Sequence, residues 1–222
     1  MMTDQNPLQL ATQMLGLTNQ LIDSLRGLPK PPPWRNIIGE LATNPGPYSN
    51  VYLNRSGGWW QRSMDEITGM TFHHTLSDSP HATAAHYVNY GGGRPTTPYS
   101  IWITQTGEIL LCVPLTSGLW HDHTGHRNTN LSIGLAGKLH IYQPADVQLY
   151  AAAKLVKWLL HSPDFPRLTS TAQIKGHMDV GTCKNRTECP GWMTIDAERG
   201  VQLEDRWKNR FQRIIAKVFD AN

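Results

Sequence analysis

The residues best suited to chemistry lie in three short stretches: Gly176-His177-Met178-Asp179-Val180, Thr187-Glu188-Cys189-Pro190-Gly191-Trp192 and Phe72-His73-His74-Thr75. A borderline-soft cation such as zinc takes nitrogen and sulfur ligands of this kind. A catalytic zinc needs three of them and keeps a fourth position open. Asp179, close behind His177, is placed to order that turn or to support a ligand. Pro190-Gly191 turns the chain directly after Cys189 and would hold its thiolate in one direction.

The residues alone leave alternatives open. Neighbours on a strand face opposite sides, so only one of His73 and His74 can point into a given site. A lone histidine ending a strand is also commonly structural. Cys183 offers a second thiol just before Cys189, and a Cys183–Cys189 disulfide would remove the thiolate that a metal needs. With Cys112 the cysteines number three, an odd count and too few for a disulfide framework.

Elements capable of positioning these groups can be read from the pattern. Residues 67–74 read as a buried strand ending at the histidines, and 80–90 as a short helix. Residues 99–104 and 109–113 form a hairpin around Gln105-Thr106-Gly107-Glu108. A strand is expected at 131–136 and a helix at 144–161, with Val147, Tyr150, Leu155 and Leu159 as its apolar positions. A short strand at 174–176 leads into His177. Strands interleaved with helices predict an α/β fold, a mixed central β-sheet flanked by helices.

Both ends extend this core. Leu8, Met14, Leu15, Leu17, Leu21, Ile22 and Leu25 predict an amphipathic helix, stopped by Gly27, Pro29 and the run Pro31-Pro32-Pro33. Residues 34–65 read as an irregular lead-in. From about residue 196, Leu203, Trp207, Phe211, Ile214, Ile215 and Val218 recur at helical spacing, with Arg206, Lys208, Arg210, Arg213 and Lys217 between them. This helix either covers a sheet face with its basic side in water or meets an anionic membrane surface. The expected organisation is an N-terminal helix and spacer (1–33), a catalytic domain (34–195, core about 65–192) and a C-terminal basic helix (196–222).

Composition narrows the function. The 222 residues are 39% hydrophobic and 17% charged, with 19 Gly and 15 Pro, as in a soluble, loop-rich protein. A net charge of +3 permits an anionic glycan partner but is too weak to argue for nucleic acid. The N-terminus carries Asp4, no basic n-region and no small-residue cleavage site, so it does not read as a secretory signal. No apolar run approaches membrane-spanning length. The expectation is a protein made in the cytoplasm and released to its target by another agent.

Four blocks in order carry a family resemblance: FHHT (72–75), PYSIWITQTGEI (98–109), HTGHRNTNLSIGLAG (123–137) and GHMDVGTCKNRTECPG (176–191). Over about residues 65–192 the chain resembles the zinc-dependent N-acetylmuramoyl-L-alanine amidases. These are shared by phage lysins, bacterial cell-wall amidases and animal peptidoglycan recognition proteins. The resemblance implies zinc held by His73, His177 and Cys189, with His74 and Cys183 as the rivals. It places Tyr99 at the family's catalytic tyrosine. Thr187 falls where members carry a lysine or threonine that helps hold the developing oxyanion. His123 matches a family histidine expected to contact substrate. Trp120, with Asn128 and Asn130, suits a groove that stacks on a sugar and hydrogen-bonds a peptide. His121, His123 and His126 would line the rim of a polar cleft. The chain departs from the family at Met178, where an arginine is usual.

The implied reaction is hydrolysis of the amide between N-acetylmuramic acid and L-alanine of peptidoglycan. The implied role is that of a phage or prophage endolysin that lyses its host from within. A cytoplasmic amidase recycling muropeptides and a peptidoglycan-binding protein without catalysis are the alternatives. The latter usually lacks a metal ligand, and here all three are present.

Overall fold

Alternation along the strands sets the architecture. In the computed structural model, residues 30–43, 60–90, 94–122, 125–183, 187, 189–191 and 206–220 are described. The expected N-terminal helix, His123 and residues 196–205 lie outside them. The strands are β1 (Trp34–Asn36), β2 (Trp60–Gln61), β3 (Gly69–His74), β4 (Ile101–Ile103), β5 (Ile109–Leu111), β6 (Ser117–Gly118), β7 (Asn130–Leu135) and β8 (Ile174–Gly176). Six of them form one sheet in the order β1-β5-β4-β7-β3-β8, while β2 and β6 pair separately. Only the β4–β5 hairpin is antiparallel within the large sheet. The α/β expectation of a mixed central sheet with flanking helices holds.

The register sorts side chains onto two faces. Met70, Phe72, Ile101, Ile103, Leu131, Ile133 and Leu135 fall on one face, each at most 1% exposed. They form the main core with α2 (Asp146–His161) and α3 (Arg206–Asp220). On the other face lie Thr71, His73, Ser132, Gly134 and Trp102. Trp102 joins Tyr99, Leu110, Cys112, Leu119 and Ala84 of α1 (Pro80–Asn89) in a second apolar cluster. Ser79 caps α1 by accepting from the Ala82 N–H at 3.1 Å, and Pro80 supplies the fixed φ of a first helical residue.

Several elements differ from the sequence expectation. The lead-in is not all irregular, because Trp34–Asn36 pairs in parallel with Ile109–Leu111 at the sheet edge. Three residues are too few to show a period, so that strand exists by long-range pairing alone. In α2 the buried stripe is Leu149, Ala152, Ala153, Leu155, Val156 and Leu159. Val147 and Tyr150, expected to be apolar contacts, are exposed. Buried Gln148 instead uses its Nε2 to donate to the carbonyls of Ile103 (3.0 Å) and Ala136 (3.1 Å), satisfying two strand ends.

The apolar stripe of the C-terminal helix belongs to the core. Phe211, Ile214 and Ile215 are 2–6% exposed, and the Phe211 ring meets Phe72 edge-on at 5.0 Å. Lys157 Nζ donates to the Val218 carbonyl at 2.9 Å, closing the C-terminal turn of α3. Arg210 pairs with Asp146 at the start of α2. Burial of each large apolar side chain is worth about 1.5–3 kcal/mol. That accounts for the amphipathy without a membrane, and Arg213 and Lys217 face outward. Among the described residues no helix is long and apolar enough to cross a membrane.

Candidate metal centre and its cleft

Two parallel neighbours, β3 and β8, deliver the histidines. Phe72 pairs with Gly176, so the next residue of each strand leaves the same end of the sheet, and the His73 and His177 rings lie 4.7 Å apart. His177 opens a short 3-10 turn, His177–Asp179. As its position suggests, Asp179 orders that turn, its Oδ2 accepting from the Gly176 N–H at 2.9 Å. The Met178 N–H then donates to the Cys189 carbonyl at 2.8 Å, tying the cysteine loop to the histidine turn.

The cysteine loop is fixed on its other side by close packing. Gly191 has φ +95°, and a Cβ there would sit 2.4 Å from the Leu139 carbonyl carbon, so no other residue fits. The Cys189 sulfur accepts from the His74 N–H at 3.3 Å and lies 3.5 Å from His73 Nδ1. Zinc–nitrogen and zinc–sulfur bonds at a tetrahedral angle put such a pair about 3.6 Å apart. One ligand atom each from His73, His177 and Cys189 lie within 4.8 Å of one another. Two imidazoles and a thiol at this spacing fit zinc in both donor chemistry and size.

The rivals stand elsewhere. His74 turns its ring to His140, with centroids 5.2 Å apart, and its backbone N–H donates to the Cys189 sulfur. Cys183 is buried in the adjoining 3-10 turn. All three cysteines are free, so no Cys183–Cys189 disulfide forms. Met178 is buried in the main core.

Burial sets the protonation states. It pushes His73 well below the ordinary histidine value, with His177, His121 and His74 adding to the effect, so the ring is neutral and able to ligate. His74 falls to about 4 through burial and His140. His121 also falls to about 4, because burial outweighs the opposing Asp122 carboxylate. Burial pushes the Cys189 thiol up, so the metal-free site holds a neutral thiol that must lose its proton to bind a cation.

A cleft of about 260 Å³ opens over these groups, and Tyr99, Thr187 and Trp120 also line it. The Tyr99 hydroxyl donates to the His74 carbonyl at 3.3 Å, and burial holds the phenol neutral. Gly134 makes room for that ring: a Cβ there would come 2.9 Å from Tyr99 Cγ and 2.8 Å from Thr75 Cγ2. Thr187 Oγ1 accepts from the Cys189 N–H at 3.2 Å, which leaves its own proton to donate elsewhere. Over the Trp120 ring lie the guanidinium groups of Arg94 (5.5 Å) and Arg127 (5.1 Å).

Asn130 does not line the cleft. It is buried at the opposite end of the sheet, paired with Gly69, and its Nδ2 donates to Thr71 Oγ1 at 2.9 Å. His121 lines the cleft as expected, but with its side chain buried and its Nδ1 3.0 Å from His73 Nε2. His126 is exposed on a 3-10 turn. Arg94 and Tyr87, whose ring carries Arg94 at 4.9 Å, form a cleft wall that no sequence motif marks.

This fold and donor set define the class of protein. The family profile of N-acetylmuramoyl-L-alanine amidase matches residues 63–192. The chain belongs to that family. It is similar in structure to the endolysin N-acetylmuramoyl-L-alanine amidase LysCS of Clostridium intestinale, with TM-score 0.53, 17% identity, and 78% of this chain and 99% of that chain covered. Drosophila peptidoglycan recognition protein SA gives TM-score 0.52 at 16% identity over 66% of this chain and 84% of its own. The endolysin of a Thermus scotoductus bacteriophage gives 0.50 at 18% identity, with 70% and 97% covered. At these identities the likeness is one of fold. No curated protein matches the sequence.

Proposed function

We propose that this chain is a zinc-dependent N-acetylmuramoyl-L-alanine amidase that cuts intact peptidoglycan as an endolysin does. The observation that carries the proposal is the convergence of His73, His177 and Cys189 donor atoms within 4.8 Å on the floor of a cleft that Tyr99 and Thr187 also line. Zinc held there would polarise the scissile amide carbonyl and supply a reactive water at neutral pH. Tyr99, kept neutral by burial, holds a proton at its hydroxyl beside the reacting groups and orients the attacking water. The Thr187 hydroxyl, anchored by the Cys189 N–H, donates to the substrate oxygen as negative charge develops on it. The guanidinium of Arg94, over the rings of Tyr87 (4.9 Å) and Trp120 (5.5 Å), gives the cleft wall a positive charge suited to an anionic substrate. The endolysin role is supported by similarity of fold to two proteins of that description.

Digestion of purified sacculi, with mass analysis of the products and a chelator control, tests the proposal. Free muramic acid lactyl groups and new L-alanine amino termini, both lost with chelator, are the expected products. Cleavage confined to soluble fragments would replace the endolysin with a recycling amidase. Binding to sacculi without new amino termini would make the protein a non-catalytic binder.

A further inference from the structure

The metal reading accounts for His73 through one nitrogen only. His73 Nδ1 faces the Cys189 sulfur at 3.5 Å. Its other nitrogen, Nε2, lies 3.0 Å from Nδ1 of His121, and the two rings meet edge to face at 5.1 Å. The Asp122 carboxylate stands 3.4 Å from that same His121 nitrogen, and neither side chain has any exposed surface. His121 and Asp122 therefore form a buried abutment against the ring of a metal ligand, at the wall of the same cleft.

We propose that His121 is a positioning residue that selects the metal-binding tautomer of His73, with Asp122 beside it offsetting part of the cation's charge. The inference rests on His73, His177 and Cys189 being a zinc site. An imidazole has one lone pair to give when neutral, and the nitrogen that ligates cannot carry the proton. Ligation through Nδ1 thus requires the His73 proton on Nε2. A hydrogen-bond acceptor opposite Nε2 stabilises that arrangement, and His121 Nδ1 is such an acceptor when its own proton sits on Nε2, against the pull of the Asp122 carboxylate for a proton on Nδ1. The same bond fixes the rotation of the His73 ring about its Cβ–Cγ axis. In low dielectric an oriented partner of this kind raises the basicity of the ligand and removes the cost of ordering it when the cation binds.

The geometry separates this role from simple core filling. A structural histidine in that place needs only shape and any hydrogen-bond partner. A positioning residue must present an acceptor at the Nδ1 position. His121→Phe preserves the ring volume and removes the acceptor. His121→Asn loses volume but sets Oδ1 near the place of the missing nitrogen.

Zinc affinity of the full chain, measured by competition with a chromogenic chelator, decides between them. The expected result is zinc binding weakened about 10–100-fold in His121→Phe and restored to within about threefold of the unaltered protein in His121→Asn. Cobalt(II) in place of zinc should show altered ligand-field bands in the Phe variant, while unfolding of the metal-free protein shows that the fold persists. His121→Leu replaces the Phe variant if the aromatic ring is not accommodated. Zinc affinity unchanged in the acceptor-free variant overturns the inference, as does equal weakening in Phe and Asn variants that remain folded. Failure of the unaltered protein to bind zinc would instead remove the metal reading itself, so the two failures are distinguishable.

Discussion

Cys189 Sγ sits 3.5 Å from His73 Nδ1, although 116 positions separate the two in the chain. Pairing of β3 with β8 and the Met178–Cys189 backbone hydrogen bond bring them together. If they share a cation with His177, Cys189→Ser and His177→Ala should each lose bound zinc and all hydrolysis, while Cys183→Ser retains both. Metal content after gel filtration and release of L-alanine amino termini provide the check. Because Cys189 is a neutral thiol and His73 is already deprotonated, zinc binding at pH 7 should expel about one proton. Calorimetry in buffers of different ionisation enthalpy reads that number, and affinity should rise with pH.

Tyr99→Phe should keep zinc at full stoichiometry and slow hydrolysis about 100-fold or more. The ring stays in its slot against Trp102, and only the hydroxyl and its bond to the His74 carbonyl are removed. Loss of that bond costs about 0.5–1.5 kcal/mol of stability. Unchanged turnover would take Tyr99 out of the mechanism.

Gly134→Ala tests how the tyrosine is placed. The added methyl would press on Tyr99 Cγ and Thr75 Cγ2 in a fully packed sheet face. The expected cost is about 1–3 kcal/mol in denaturant unfolding. Turnover should fall further than zinc affinity, because the displaced ring is not a ligand.

The metal-free protein should lose stability in acid before its carboxylates titrate. His74 and His121 have folded values near 4, below the ordinary 6.5. A depressed histidine is held neutral by the fold, so its contribution is fully present above about pH 6.5. As pH falls from there toward 4, the unfolded chain takes up protons that the native state refuses. Each such group removes about 1.4 kcal/mol per pH unit in that window. Urea unfolding midpoints between pH 7 and 4 should fall accordingly, and a flat profile would contradict the burial of these rings.

Phe211→Ala should destabilise the domain by about 3–5 kcal/mol. Its ring closes the core against Phe72, one residue before His73. Thermal unfolding measures the loss. A surface helix kept for membrane contact would show little change.

How much was legible in the sequence follows the range of the interactions involved. Strands long enough to show a pattern, such as the one carrying His73, and the helix from about 146 to 161 announce themselves by local periodicity. The histidines, the cysteine and the tyrosine are visible as residue types inside four ordered blocks. The edge strand Trp34–Asn36 was not legible, because its backbone is satisfied only by residues 109–111 far along the chain. Asn130 shows the opposite error. A polar residue near a motif resembles a substrate contact until the register places it at the far end of the sheet, hydrogen-bonded to Thr71.

The sequence by itself determined the chemistry on offer: imidazoles, thiols and a phenol on strand ends and turns of an α/β chain. The resemblance favours His73 and Cys189 among equivalent groups, and the tertiary structure supplies a physical reason for that preference. Local spacing cannot separate His73 from His74 or Cys189 from Cys183, since each pair offers the same atoms. The folded chain separates them by direction, turning His74 toward His140 and aiming His73 at the Cys189 sulfur. Tertiary structure also buried the His121 side chain in the cleft wall, against His73. Burial depends on what packs from distant segments, and the sequence around a residue carries no record of that.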